Sequence, residues 1–172
     1  MSKQDIRIQT NEYVIRLIEE KDQESMIKWR NDPVHKQWFF YQGEFNLQTQ
    51  IIWFHEYLTK DNDYTFVLEI DDIPVGMAAI YDIHDDQGEF GRLLIGEIQG
   101  KGLGKELARQ VCQIGFTRLN LNTIVLEVFK ENERALKIYQ ELGFKIIEER
   151  PWKNRFIYVM ELNINHFNHW SV

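Results

Sequence analysis

The stretch Gln99-Gly100-Lys101-Gly102-Leu103-Gly104-Lys105 decides how this chain is read. It stands between a β-rich run, residues 89–95, and a run over 101–119 in which Leu103, Leu107, Val111, Gly115 and Leu119 recur at every fourth position. That period belongs to an amphipathic helix, so the glycines make a strand-to-helix turn. Glycine lets backbone N–H groups turn toward a ligand with no Cβ in the way. The start of a helix adds unpaired donors and the positive end of its dipole. A pyrophosphate is the natural guest, and Lys101 and Lys105 add positive charge. A nucleoside-triphosphate loop needs Gly-x4-Gly-Lys-Ser/Thr, but Gln stands at 99 and Glu at 106. A dinucleotide fingerprint needs Gly-x-Gly-x-x-Gly, but the third glycine would fall on Lys105 or Leu107. What remains is Gln-x-x-Gly-x-Gly over Gln99, Gly102 and Gly104.

Roughly 28 residues beyond Gly104 a second pattern begins at Asn132-Glu133-Arg134-Ala135-Leu136-Lys137-Ile138-Tyr139 and closes on Leu142-Gly143-Phe144. Asn132 suits a helix N-cap, and Gly143 suits the left-handed residue past a helix end. Seven residues are about two turns, so Asn132 and Tyr139 share a face with the small Ala135 between them. Taken singly, the loop also reads as a tight turn, Asn132 as a mere cap and Tyr139 as a core aromatic.

Outward from these signatures the chain reads as strand 13–18, helix 19–29 and an aromatic, irregular stretch 34–46. The first helix stops near Asn31-Asp32-Pro33, because the residue before proline disfavours helix. A helix over 49–58 follows. Strands 64–70 and 74–83 flank the turn Asp71-Asp72, and the turn Asp85-Asp86-Gln87-Gly88 leads to strand 89–95. After helix 101–119 come strand 123–129, helix 132–142 and strands 144–149 and 156–162. The order β-α-α-β-β-β-α-β-α-β-β predicts one α/β domain over residues 1–172, with a mixed, mostly antiparallel sheet flanked by helices.

The two signatures together, in this order and across the whole chain, resemble the GNAT family of N-acetyltransferases. The resemblance implies a splayed central sheet, acetyl-CoA as co-substrate and a primary amine as acceptor. It implies that strand 89–95 parts from strand 123–129 and that pantetheine pairs with free backbone near Leu93 and Leu94. Gln99, Gly100, Lys101, Gly102, Leu103, Gly104 and Lys105 would hold the pyrophosphate, with Asn132 beside the same groove. Tyr139 resembles the general acid that protonates the departing sulfur. A homodimer is the family's habit.

Amine acetylation needs a neutral nucleophile. An alkyl ammonium of pKa about 10 is only about one part in a thousand neutral at pH 7, roughly 4 kcal/mol of barrier that a base can lessen. Glu89 is the first candidate, with Asp82 and His84 as alternatives. Glu89 and Leu94 are five apart, so a regular strand points them to opposite faces, and a β-bulge between them would bring them together.

The resemblance implies that the acceptor side falls on the first two helices and the loop between them. Trp29-Arg30-Asn31-Asp32-Pro33 resembles acetyltransferases acting on nucleotide-linked amino sugars, Gly88–Ile95 leans the same way, and Trp38-Phe39-Phe40-Tyr41 adds an aromatic wall. Trp29 and Trp38 would stack a sugar or base, and Arg30 or Arg92 would meet a phosphate. Ribosomal-protein N-terminal and polyamine acetyltransferases share the architecture. A non-catalytic acetyl-CoA sensor is the alternative of another class, which the tyrosine at 139 speaks against.

Composition narrows the rest. The 172 residues carry 20 Lys plus Arg against 27 Asp plus Glu, a net charge of −7, which disfavours a nucleic-acid partner. The single cysteine, Cys112, forms no intrachain disulfide and reads as a buried thiol. His166 and His169 have helical spacing but no third ligand, so no metal is expected. No apolar run is long enough for a membrane span and no signal core opens the chain, so the expected setting is cytoplasmic, with no membrane partner.

Overall fold

A computed structural model describes Lys3 and residues 6–98 and 100–167. The chain runs β1 (Arg7–Gln9), β2 (Val14–Leu17), α1 (Gln23–Asn31), α2 (Pro33–Lys36), α3 (Leu47–Thr59), β3 (Tyr64–Ile70), β4 (Ile73–His84), β5 (Gln87–Ile95), α4 (Leu103–Thr117), β6 (Thr123–Phe129), α5 (Glu133–Leu142), β7 (Lys145–Trp152) and β8 (Arg155–Asn163). The predicted order holds with two additions. Residues 7–9 form an edge strand on β2, too short to show a period. Within the stretch read as irregular, Pro33 opens the one-turn α2, and the Asp32 carboxylate accepts from the Val34 N–H at 2.9 Å. The proline that ends one helix begins the next, because its missing N–H costs nothing at a first helical position.

The eight strands form one sheet in the order β1-β2-β3-β4-β5-β6-β8-β7. Every neighbouring pair is antiparallel except β5 and β6, which α4 joins as a crossover. Asn46 caps α3 and Asn132 caps α5, each accepting from the N–H three residues on. Gly143 at φ +105° ends α5, a conformation that a Cβ would oppose.

Strand alternation sorts the core into two clusters. Ala78, Ile80 and Phe90 face α4 with Leu107, Ala108, Val111 and Cys112. Met77, Val67 and Leu94 face the other way, under Met26 and Trp29 of α1 and Phe54 and Tyr57 of α3. The edges of this second layer are tied by Arg16, buried with Asp22 at 2.7 Å and Glu69 at 2.6 Å. A buried guanidinium with two carboxylates is satisfied on both sides, so it anchors the start of α1 to β2 and β3.

Candidate active site

The sheet opens where the glycine loop needs it to. β5 and β6 pair only at Gln87↔Thr123, Gly88↔Ile124 and Glu89↔Val125. Beyond Glu89, β5 continues to Ile95 and β6 to Phe129 with no ladder between them among the described residues. A fork with unpaired strand edges is left, and unpaired strand edges seek a hydrogen-bonding partner. Leu93 and Leu94 lie on its β5 arm.

At the open end α4 begins. Its N-cap is Gly102, left-handed at φ +70° and with no side chain to cap the helix. The first-turn N–H groups at Leu103, Gly104 and Lys105 therefore face outward without an intrahelical acceptor. A Cβ built on Gly102 would meet nothing within 4 Å, and one on Gly104 only Ile138 and Ile95 at 3.7 Å. The space beside this helix start suits the expected pyrophosphate. Gly100 is also left-handed, at φ +79°. Lys101 is exposed, whereas the Lys105 ammonium is paired with Glu141 of α5 at 2.7 Å. Lys105 thus offers a backbone N–H rather than a free charge. Gln99 lies outside the described residues, as does His169.

Glu89 and Phe90, consecutive at the vertex of the fork, point to opposite faces. The Tyr139 ring packs edge-on against Phe90 at 5.9 Å and against Phe144 at 5.8 Å. Tyr139 is 7% exposed, and burial raises its phenol pKa above the ordinary range. Asn132 accepts from the Ala135 N–H at 3.2 Å and so caps α5. On the other face, Glu89 accepts a hydrogen bond from the Tyr81 hydroxyl at 2.8 Å. Its orientation depends on a bulge. Ala79 pairs with Gly91 but Met77 with Leu94, so Arg92 and Leu93 together oppose Ala78. The extra residue brings Glu89 and Leu94 to one face, as the parity argument required. Asp82 and His84 are exposed and stand toward the closed end of the hairpin, His84 opposite Gln87.

A cavity of about 280 Å³ opens on this face, lined by residues of α1, α3, β4, β5 and the loop before α3, among them Arg30, Phe45, Trp53 and Arg92. The two expected arginines differ. Arg92 is committed: its guanidinium grips Asp63 at 2.8 and 3.0 Å and Thr65 at 2.6 Å. Arg30 lies 4.0 Å from the Phe39 ring and 4.7 Å from Phe45. Its Nε is the one buried side-chain polar atom without a partner among the described residues. Burial, with the charge of Arg92, pushes its pKa down to about 10, so it remains a cation at neutral pH.

The two tryptophans lie elsewhere. Trp29 is 2% exposed, its indole close over Gly96 and its N–H on Glu97 at 2.9 Å. It packs α1 onto the sheet and does not line the cavity. Trp38 is half-buried near Arg155 of β8, outside the cavity lining. Tyr81, Asp63 and Thr65 carry no motif, and Arg92 is remote in sequence from Asp63 and Thr65. The hairpin that closes at Asp85-Asp86 was the only signal that could have set Tyr81 beside Glu89. Among the described residues no group of three or more His, Cys, Asp or Glu is arranged for a metal, and no helix is long and apolar enough to cross a membrane.

The family pattern described as "Acetyltransferase (GNAT) domain" matches residues 13–145. The chain belongs to the GNAT acetyltransferase family. Within that family it is 32% identical over 118 residues to spermidine N(1)-acetyltransferase of Escherichia coli K12, covering 67% of this chain and 63% of that protein. It is 31% identical over 133 residues to acetyltransferase PseH of Campylobacter jejuni, covering 73% of this chain and 78% of that protein. The chain thus spans under two thirds of the spermidine enzyme's length. A solved structure of spermidine N-acetyltransferase from Vibrio cholerae, in complex with CoA and spermine, superposes with a TM-score of 0.84 over 91% of this chain and 98% of that one, at 21% identity. That likeness establishes the fold.

Proposed function

We propose that this protein is an acetyl-CoA-dependent N-acetyltransferase whose acceptor is a primary amine on a nucleotide-linked sugar. The observation that carries the acceptor is the charge of its cavity. Two arginines line it, and Arg30 has a buried Nε with nothing to donate to. The one lining acid, Glu44, is exposed and paired with Lys36 at 3.2 Å. A polyamine would bring like charge to a partly desolvated guanidinium, where repulsion is strong. A phosphate would pair with the Arg30 guanidinium where it lines the cavity, and the Phe45 ring in the same lining would stack a planar base.

The residues divide the work as follows. The N–H groups at the start of α4, with Gly102 and Gly104 clearing the approach, bind a pyrophosphate. The free β5 edge at Leu93 and Leu94 binds a pantetheine arm in the manner of an added strand. Bound acetyl-CoA supplies the activated acetyl thioester. Glu89, held by the Tyr81 hydroxyl, takes the proton that the acceptor ammonium must lose. Tyr139, kept protonated by burial, holds a proton ready for the departing sulfur.

The test is CoA release from acetyl-CoA over three acceptors: a uridine-diphosphate-linked amino sugar, the same amino sugar free, and spermidine. The nucleotide-linked amine should be preferred by at least about tenfold in kcat/KM, since a buried cation left unpaired discriminates by that much or more. Arg30→Ala should raise KM for that acceptor and leave the acetyl-CoA KM nearly unchanged. Spermidine as the best acceptor would overturn the sugar reading, and coenzyme binding with no turnover on any amine would favour a sensor.

A further inference from the structure

Arg92 carries a side chain in a backbone conformation that glycine adopts freely and other residues resist: its φ is +57°. It occupies the β5 bulge, where Arg92 and Leu93 stand against the single Ala78. Its side chain shows what holds it there. The guanidinium crosses β4 and closes a fork on the Asp63 carboxylate, with Thr65 as a third contact. The path is clear because the row Thr65–Ala79–Gly91 has only small residues on β4 and β5. A Cβ on Gly91 would lie 2.7 Å from the Tyr81 hydroxyl. Asp63 is 3% exposed, just ahead of β3 and two strands from the bulge. The Tyr81 ring, 4.4 Å from the guanidinium, completes the row to Glu89.

The bulge matters to both substrates. Along a strand, successive residues direct their N–H and C=O groups to opposite edges and their side chains to opposite faces. Loss of the extra residue would exchange the backbone groups that β5 shows to the fork. It would also part Glu89 from the face of Leu94. We propose that Asp63 is a positioning residue: by holding the Arg92 guanidinium it holds the bulge, and thereby the coenzyme-binding edge of β5. The inference rests on the reading of the fork as the coenzyme A seat.

Glycine at 92 separates this role from simple charge pairing, because it takes φ near +57° with no clamp. Calorimetry with coenzyme A alone reads the affinity of four chains: wild type, Asp63→Ala, Asp63→Ala/Arg92→Ala and Asp63→Ala/Arg92→Gly. Asp63→Ala should weaken binding by at least about tenfold, the scale of a small displacement at a binding edge. The double variant ending in alanine leaves no unpaired charge but keeps Cβ, so it should stay weak. The one ending in glycine should recover to within about threefold of wild type. Unchanged affinity in Asp63→Ala, or two double variants that bind alike, overturns the proposal. If Asp63→Ala does not fold, Asp63→Asn is read in its place with the same two outcomes. A wild type that binds no coenzyme A overturns the fork reading itself, a result distinct from a wild type and an Asp63 variant that bind equally well.

Discussion

At the residue scale, Tyr139 separates an enzyme from a binding module. Its ring lies between Phe90 and Phe144, and burial raises its pKa. A raised pKa keeps the neutral phenol, the form that donates a proton, across the whole working range. Tyr139→Phe keeps the ring packing and removes the proton. The expected result is kcat lower by roughly 10²–10⁴ with little change in coenzyme affinity. Steady-state CoA release and equilibrium binding on the same folded variant check it. The direction of the pKa also predicts that kcat of the wild type shows no alkaline fall from Tyr139 near pH 10. Unchanged kcat in the phenylalanine variant would leave Tyr139 a core aromatic and give the proton to another group. Cys112, also fully buried, has its thiol pushed up by the same desolvation, and it fills the α4 core without a chemical part.

At the scale of the element, the first turn of α4 distinguishes two kinds of glycine. Gly102 is left-handed, so its replacement would strain the backbone whatever binds there. Gly104 is an ordinary helical residue, and a methyl group on it would make only van der Waals contacts inside the protein. Nothing in the fold requires glycine at 104. Gly104→Ala should therefore leave the chain as stable or more so, by up to about 1 kcal/mol. It should still weaken coenzyme A binding, because the added methyl enters the ligand's space. Thermal melting beside calorimetry decides the matter: full affinity with a raised Tm would show that the loop is only a turn. Nearby, Glu106 accepts from Arg109 and from the hydroxyl of Tyr13, and Arg109 foremost holds its carboxyl down at about 2. This ties the start of α4 to the segment before β2, so the loop opens from a braced helix.

Across the whole molecule, the fork works because the sheet is closed at one end and open at the other. Three residue pairs hold β5 to β6, while beyond them β5 stays paired with β4 and β6 with β8. Among the described residues, amides in Phe90–Ile95 that face the fork have no strand partner, whereas Gln87–Glu89 pair with β6. Coenzyme A should slow hydrogen exchange at the former and leave the latter nearly unchanged. Exchange measured by mass spectrometry with and without coenzyme A tests this. Protection confined to α4, with none on the β5 arm, would remove the strand-addition part of the mechanism.

What the sequence determined by itself is local. The glycine loop and the four-residue stripe behind it place a helix start at Gly102, and Asn132 with Gly143 bracket α5, because caps and periods act within a few residues. The family resemblance follows from those two signatures, and the element order from the periods and turns along the rest of the chain. What only the tertiary structure decided is pairing across distance. β4 and β5 meet as His84↔Gln87 at the turn, shift by one residue to Tyr81↔Glu89, and shift back at Met77↔Leu94. Asp82 at φ +48° and Arg92 at φ +57° mark the two irregularities; aspartate tolerates left-handed backbone, but arginine is not a residue type that announces it. The commitment of Arg92 to Asp63, 29 positions away, leaves Arg30 as the arginine with an unmet donor. Trp29 and Arg30 are adjacent in sequence, yet one is core and the other lines the cavity, because a helix turns successive side chains about 100° apart. Which of two neighbours faces the ligand is set by what the helix packs against, and no short stretch of sequence carries that information.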